Sequence, residues 1–293
     1  MSTRKILITG ATGSVSSAVL DSLAPQGGDY SLRALVRDPA KAQALAARGI
    51  ELAQGDLEEP ESLPRAFEGV HTLWLLTPVG PRAPENNMNA MWAARQAGVK
   101  RVVRMSAIGA AYDAPSRNGR LHALSDAEVQ GSGLRWTILR PHFFMQNLLG
   151  SAATIASQGA LYWAMGEGKL GMIDARDIGA SAAAVLKDDG TKHDGKIYTP
   201  TGPASITFGD VATQLSEAIG KPVKYVPLTF EAAREGMLGM GMPAWLTGML
   251  VEYSRAYASN WGDFTNSHVE DLTGQKPRSF ATFAKDHAKA FGG

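Results

Sequence analysis

The chain has 293 residues, of which 44% are hydrophobic, 19% charged and 8% aromatic. So many large apolar residues exclude disordered and fibrous proteins. The 29 basic and 28 acidic side chains give a net charge of +1 and there is no cysteine, which excludes nucleic-acid binding by charge alone, disulfides and cysteine metal sites.

No targeting segment is predicted. Only Ile6-Leu7-Ile8 follow the charged N-terminus before Thr9-Gly10, whereas a secretory signal needs an apolar run of roughly 7–15 residues. No stretch approaches the ~18 consecutive apolar residues of a membrane span. We therefore expect a cytoplasmic protein with no membrane or nucleic-acid partner, either a monomer or a homodimer.

Short apolar runs alternate with helical periods through the first half of the chain. This alternation predicts an α/β fold, a Rossmann doubly wound parallel sheet with helices on both faces. The six predicted strands are Lys5–Thr9, Leu32–Val36, Glu51–Ala53, Thr72–Leu76, Arg101–Met105 and Arg135–Leu139. The predicted helices are Val15–Leu23, Ala40–Ala47, Glu61–Phe67, Glu85–Ala97 and Leu121–Gln130.

The pattern changes after Pro141, and a smaller C-terminal α/β substrate lobe is expected there. Its predicted strands are Leu161–Ala164, Leu170–Asp174, Lys196–Thr199 and Val223–Pro227. Its predicted helices are Phe144–Ser157, Arg176–Leu186 and Thr207–Ile219, with further helices from Phe230 to Phe291.

The first strand runs into a glycine motif that opens a helix, Gly10-Ala11-Thr12-Gly13-Ser14-Val15-Ser16. A strand, a tight glycine turn and a helix N-terminus together form the dinucleotide fingerprint. Gly10 permits the sharp turn, and Gly13 lets the backbone approach a diphosphate, which the helix amides then hold. Ser16 replaces the third glycine and is small enough for close helix–strand packing.

Two later positions bear on which dinucleotide binds. Arg37 ends the second strand, where an arginine accommodates the 2′-phosphate of NADP, so we favour NADP(H) over NAD(H). The alternative is an exposed arginine beside a helix-capping Asp38. Asp56 follows the third strand and either accepts from the adenine amino group or caps a turn.

These motifs, with Gly98-Val-Lys-Arg101, Leu139-Arg140-Pro141 and Asp174-Ala-Arg-Asp177, resemble the atypical short-chain dehydrogenase/reductase superfamily. The likeness is to its NmrA-like branch, which includes reductases of quinones and triphenylmethane dyes. It implies an NADP-binding Rossmann domain over residues 1–150. It implies a substrate-binding lobe over most of 151–293, with parts returning to the Rossmann sheet.

The resemblance also implies cofactor contacts by position. Residues Thr12 to Val15 would hold phosphate, Arg37 the 2′-phosphate, and Asp56 with Leu57 the adenine. The remaining implied contacts, at the ribose and nicotinamide, are Thr77, Pro78, Ser106 and Ala107, with the turn Pro141-His142-Phe143-Phe144 closing over the nicotinamide.

The Tyr-x-x-x-Lys motif of most short-chain dehydrogenases is absent. Counted back from Leu139-Arg140-Pro141, its two positions are Asn118 and His122, and no tyrosine of the chain has a lysine four residues later. Reducing a ketone needs a proton on oxygen, which is worth roughly 10²–10⁴ in rate, whereas an already electrophilic acceptor needs mainly correct placement.

We therefore expect a reductase that passes hydride from NADPH to a bulky, electron-poor aromatic acceptor of the quinone, iminium, cationic-dye or azo type. His122 either holds the ribose or shuttles a proton at neutral pH. Tyr112 is a second candidate proton donor. An ordinary helix histidine is the alternative reading of His122.

The acceptor pocket is expected in the C-terminal lobe, where Met and aromatic side chains suit adaptable apolar binding. The alternative is that most of these residues are core. The candidate substrate residues are His142, Asn147, Trp163, Trp245, Met249 and Tyr253, the last three on one helical face together with Tyr257.

A different class of function, a non-catalytic NADP(H)-binding redox sensor that signals to a regulatory partner, remains open. The missing tyrosine and lysine motivate it. A sugar-nucleotide epimerase is disfavoured because its chemistry needs that pair. No His-Glu-x-x-His site or phosphate-binding Gly-x-x-x-x-Gly-Lys loop occurs in the sequence, and no metal is expected.

Overall fold

The computed structural model describes residues 3–23 and 29–293. Its strands are β1 (Arg4–Ile8), β2 (Tyr30–Val36), β3 (Glu51–Gln54), β4 (Thr72–Leu75), β5 (Arg101–Met105), β6 (Arg135–Leu139), β7 (Ala160–Trp163), β8 (Lys196–Tyr198) and β9 (Lys224–Pro227).

The helices connect and follow these strands. They are α1 (Ser14–Leu23), α2 (Gln43–Ala46), α3 (Leu63–Phe67), α4 (Ala83–Gln96), α5 (Arg117–Gln130), α6 (Ala152–Gln158), α7 (Ala175–Lys187), α8 (Phe208–Ile219), α9 (Phe230–Gly239), α10 (Ala244–Ala258), α11 (His268–Thr273) and α12 (Phe280–Asp286). Short 3-10 turns cover Pro39–Ala42, Pro60–Ser62, Met145–Ser151 and Ala288–Phe291. Among the described helices, none is both long and apolar enough to cross a membrane.

Seven parallel strands of the described chain form one sheet in the order β3-β2-β1-β4-β5-β6-β8. This confirms the predicted Rossmann sheet of six parallel strands, to which β8 adds a seventh. The strand order reverses between β1 and β4, where doubly wound sheets bind ligands at the carboxyl ends of their strands. The loop after β1 therefore lies at this switch point.

The chain divides into two compact units. The first comprises Met1–Tyr112, Asn118–Arg140 and Ile178–Tyr198, and the second Asp113–Arg117, Pro141–Asp177 and Thr199–Gly293. The predicted boundary at residue 150 lies inside the second unit, and the assignment of one domain to cofactor and the other to substrate stays a prediction.

Each unit has its own core. In the first, sheet residues such as Leu7, Leu73 and Val102 pack against Phe67 and Met91 from the helices. In the second, the largest buried side chains are aromatic and include Phe208, Tyr257, Phe280, Phe283 and Phe291.

Three sequence predictions differ clearly from the structure. In the helix predicted at Phe144–Ser157, residues Met145–Ser151 form a 3-10 turn and the α-helix begins only at Ala152. The strand predicted at Leu170–Asp174 is wrong, because this segment makes only isolated bridges to Ile206 and Phe144, while Gly171 donates to the Gly262 carbonyl. The chain there pairs with three separate segments and with no continuous strand. The helix predicted from Leu121 begins earlier, at Arg117, whose N–H donates to Glu252 Oε2 at 2.7 Å.

Candidate active site

The loop between β1 and α1 is a tight turn that needs its glycines. Gly10 has a φ of 61°, and the Gly13 N–H donates to the Gly10 carbonyl at 2.9 Å. A Cβ on Gly10 would lie 2.9 Å from Leu76 Cδ2, and one on Gly13 would lie 3.3 Å from the Gly10 oxygen. The positive φ therefore favours glycine at position 10, and a Cβ at position 13 would need its backbone neighbour to shift by a few tenths of an ångström.

The end of this turn has the features of an anion-binding site. Thr12, Gly13 and Ser14 are exposed, and the first turn of α1 carries no acidic side chain. The leading N–H groups of a helix have no acceptor within the helix, and the helix dipole favours negative charge there. These features fit the diphosphate of a dinucleotide, which Thr12 to Val15 would hold.

Ser16, in the place of the third glycine, does more than pack closely. It is fully buried, and its Oγ donates to the Thr9 carbonyl at 2.8 Å while accepting from Trp74 Nε1 at 2.9 Å. One hydroxyl thus links α1 to the ends of β1 and β4. The small size of Ser16 is evident from the sequence, whereas its hydrogen bonds are not.

Arg37 and Asp56 follow adjacent strands at the carboxyl edge of the sheet. Arg37 is exposed, and within residues 3–23 and 29–293 its guanidinium makes no hydrogen bond or ion pair. That leaves its charge available to a phosphate. Asp56 Oδ1 accepts from the Glu58 N–H at 3.0 Å, so one carboxylate oxygen caps a turn, which was the alternative reading. Leu57 is buried beside it.

The remaining predicted cofactor positions of the first unit also follow strand ends. Thr77 is half-buried and Pro78 exposed after β4, and Ala107 is half-buried after β5. Ser106 is buried, and its Oγ donates to Asp126 Oδ2 at 2.9 Å. The Ser106 hydroxyl therefore already has an acceptor within the protein.

Asn118 and His122 lie four residues apart on α5, as the predicted motif positions require. Asn118 is buried and His122 is half-buried. Arg104 Nη2 lies 3.2 Å from His122 Nδ1. A guanidinium can only donate, so Nδ1 accepts and the ring proton is on Nε2.

The surroundings of His122 oppose its protonation. Burial, followed by the positive charges of Arg104 and Arg140, lowers the pKa of His122 well below its usual 6.5. The ring is therefore neutral at neutral pH and carries one N–H to donate. Of the two predicted roles, this favours a hydrogen bond to the ribose over a proton shuttle.

A buried ionic group surrounds this histidine, and we call Arg104, Ser106, Asp126 and Arg140 the Asp126 cluster. The Asp126 carboxylate bonds Arg104 Nη1, Ser106 Oγ, and Arg140 through Nε at 2.9 Å and Nη2 at 2.8 Å. Asp126 and Arg104 are 1% exposed. Burial lowers the pKa of Arg104 to about 10, although Asp126 opposes the shift.

Sequence reasoning missed the roles of Arg104, Asp126 and Arg140. Arg140 was noted only as part of a family motif. A signal was nevertheless present, because Arg104 interrupts the apolar strand β5 and Asp126 follows His122 by one helical turn. A charge in a buried strand needs a buried partner.

Tyr112, the other predicted proton donor, lies in the loop after β5. Its side chain is 68% exposed. A donor must be held within hydrogen-bond reach of the reacting atom, and a largely solvated side chain is poorly held. The role of Tyr112 stays a prediction without structural support.

In the second unit, His142 has a structural role. It is 1% exposed, its Nε2–H donates to the Gly262 carbonyl at 2.9 Å, and its Nδ1 accepts from the Phe143 N–H at 2.8 Å. Burial lowers its pKa to about 4. Both ring nitrogens are occupied by protein partners, and the substrate contact expected of His142 stays a prediction.

The aromatic candidates of the second unit contribute largely to packing. The Phe143 ring makes edge contacts with Trp163, Phe208 and Tyr257, and Trp163 Nε1 donates to Ser151 Oγ at 3.0 Å. Met249 is buried, the Tyr253 ring stacks on Tyr257, and the Trp245 ring centroid lies 6.0 Å from the Arg117 guanidinium. Asn147 is exposed, Pro141 is buried, and Phe144 forms a β-bridge to Ile173. Their substrate and cofactor contacts stay predictions.

The model of the NmrA-like family matches residues 2–283. The chain belongs to the NmrA-like family. This confirms the predicted atypical short-chain dehydrogenase/reductase branch, and the match extends across both units.

Three relatives of this NmrA-like protein have named activities. An NAD(P)H azoreductase from Xenophilus azovorans is 42% identical over 287 residues, covering 98% of this chain and 99% of that protein. The NADPH-dependent quinone oxidoreductase of Escherichia coli, solved with NADPH, has a TM-score of 0.87 at 30% identity, covering 96% and 99% of the two chains. The Citrobacter sp. triphenylmethane reductase, solved with NADP(H), has a TM-score of 0.86 at 26% identity, covering 97% and 99%.

Proposed function

We propose that this NmrA-like protein is an NADPH-dependent reductase that transfers hydride directly to a bulky, electron-poor aromatic acceptor of the quinone, iminium, cationic-dye or azo type. Its relatives with named activities are oxidoreductases, and the protein is accordingly an NAD(P)H-dependent oxidoreductase. The acceptor class is our proposal, supported by the chemistry of the site.

The cofactor residues of the first unit have separate tasks. The amides from Thr12 to Val15 would hold the diphosphate, and the exposed Arg37 guanidinium would hold a 2′-phosphate. The N–H on His122 Nε2 would donate to a ribose hydroxyl. NADPH, when bound, supplies the hydride.

The observation that carries the proposal is the neutral His122 beside Asn118 in the positions of the usual lysine and tyrosine. Neither side chain releases a proton readily near pH 7, because an amide is not acidic and the imidazole is not in its charged form. A site of this kind suits acceptors that take hydride without a protein acid and are protonated afterwards by solvent.

The test mixes the purified protein with NADPH and one acceptor at a time, following loss of the reduced-nicotinamide absorbance. The acceptors are a neutral azo dye, a benzoquinone, a cationic triarylmethane dye, and an aliphatic ketone as the control. Oxidation with at least one aromatic acceptor and none with the ketone is expected. Tight NADPH binding without oxidation by any acceptor contradicts the reductase and favours the sensor.

A further inference from the structure

Arg104 is held on several sides at once. Its Nε donates to Asn87 Oδ1 at 3.0 Å, its Nη1 bonds Asp126, and its Nη2 faces His122 Nδ1. Asn87 is in turn buried on α4, where its Nδ2 donates to Glu128 Oε2 at 3.1 Å. The planar guanidinium therefore has a fixed orientation toward His122.

We propose that Arg104 and Asp126 are positioning residues, which hold His122 neutral with its proton on Nε2 so that it donates a hydrogen bond to an uncharged oxygen of a bound molecule. Arg104 has no acceptor atom, so it can face only a bare ring nitrogen. Asp126 acts indirectly, because it fixes Arg104.

The Nε2 side of the ring completes the geometry. In the part of the chain that the structure describes, no residue bonds His122 Nε2, and the residue keeps part of its surface open. An N–H that has no acceptor among the described residues is suited to a hydroxyl or carbonyl oxygen of a ligand.

The charged groups around His122 also favour the neutral form of its ring. Arg104 from β5 and Arg140 after β6 each carry a positive charge, and Asp126 on α5 supplies one negative charge. Burial, and after it this surplus of positive charge, opposes an imidazolium and lowers the pKa of His122. The positive charge also disfavours a cationic group at this N–H.

The catalytic use of this N–H depends on the proposed function, whereas the protonation state of the ring does not. The test therefore uses the whole protein without cofactor. The protein is labelled with ¹⁵N-histidine, and His122 is assigned from the signal that His122→Asn removes. Its ring nitrogens are followed by NMR from pH 8 to pH 5.5.

The expected spectrum shows a bare Nδ1 and a protonated Nε2, with no conversion to imidazolium around the usual pKa of 6.5. Titration at or above 6.5, or a proton on Nδ1, overturns the proposal. These outcomes are separate from the reductase assay, which can fail while His122 behaves as expected.

Two variants separate positioning from general stabilisation. Arg104→Met and Arg140→Met each remove one guanidinium from Asp126, but only Arg104 contacts His122. Arg104→Met should raise the pKa of His122 and give a mixture of tautomers. Arg140→Met, the matched control, should raise the pKa of His122 less and should keep its ring proton on Nε2.

Equal effects of the two variants overturn the positioning role. If Arg104→Met does not fold, Arg104→Lys replaces it, since lysine keeps a donor and a charge but loses the planar fork. Arg104→Lys should leave the pKa of His122 low but give a mixture of the two ring tautomers. An unchanged tautomer in Arg104→Lys contradicts the need for a fixed guanidinium.

Discussion

The indole N–H of Trp74 donates to the Ser16 hydroxyl at 2.9 Å, across 58 positions of sequence. The same hydroxyl donates to the Thr9 carbonyl. The turn predicted to bind the nucleotide is thus linked to two neighbouring strands by a residue that stands where the fingerprint has glycine.

Ser16→Ala should lower the free energy of unfolding by about 1–3 kcal/mol, because it leaves the buried Trp74 N–H without its acceptor. Urea unfolding measures the difference. Ser22→Ala, on the same helix, removes a hydroxyl that donates to the Ala18 carbonyl of its own helix, and its effect should stay within about 0.5 kcal/mol. Equal losses in both variants would contradict the bridging role of Ser16.

Arg37→Ala should weaken NADPH binding by roughly 10- to 100-fold, the effect of losing about 1.5–3 kcal/mol of charge-assisted hydrogen bonds. NADH binding should change little, because NADH has no 2′-phosphate. Fluorescence titration with each coenzyme measures both. Arg48→Ala removes an exposed arginine paired with Asp21 ahead of β3 and serves as the control. Equal weakening of both coenzymes by Arg37→Ala would disprove the 2′-phosphate contact.

His122→Asn should weaken NADPH binding or turnover by about tenfold, the value of one hydrogen bond of about 1.4 kcal/mol. The pH–rate profile between pH 6 and pH 8 should show no inflection at the usual histidine pKa of 6.5, because burial and the two nearby arginines lower the pKa of His122 well below that value. Steady-state rates across the range provide the test. An inflection that disappears with the substitution would restore the proton shuttle.

His142 should make stability depend on pH. Its pKa is about 4 in the folded protein and about 6.5 when unfolded, so the unfolded chain binds more protons between these values. The stability that comes from keeping His142 neutral is complete above pH 6.5. It is lost as the pH falls toward 4, which lowers the free energy of unfolding by about 3 kcal/mol at most. Unfolding in urea at pH 7, 6 and 5 should show a shallower fall for His142→Gln than for the wild type. Parallel curves would contradict a buried neutral ring.

Much of the fold follows from local patterns. The alternation of apolar strands with helical periods determined the parallel sheet, and five of the six predicted strands agree with the observed bounds to within a residue. Gly49 and Gly98, which follow α2 and α4, have φ values of 77° and 71°, a conformation that glycine adopts readily after a helix. The glycine turn and Arg37 could likewise be predicted from the sequence, because each lies in a short stretch at the end of a single strand.

Tertiary structure alone decided which polar groups meet. Arg104 comes from β5, Asp126 from α5 and Arg140 from the residue after β6, and nothing in their spacing shows that both arginines bond the Asp126 carboxylate. His142 was a substrate candidate by position, and only the approach of Gly262 showed that its ring is occupied. Periodicity determines which face of an element is buried, whereas the partners of a buried polar group are set by distant segments that packing brings together.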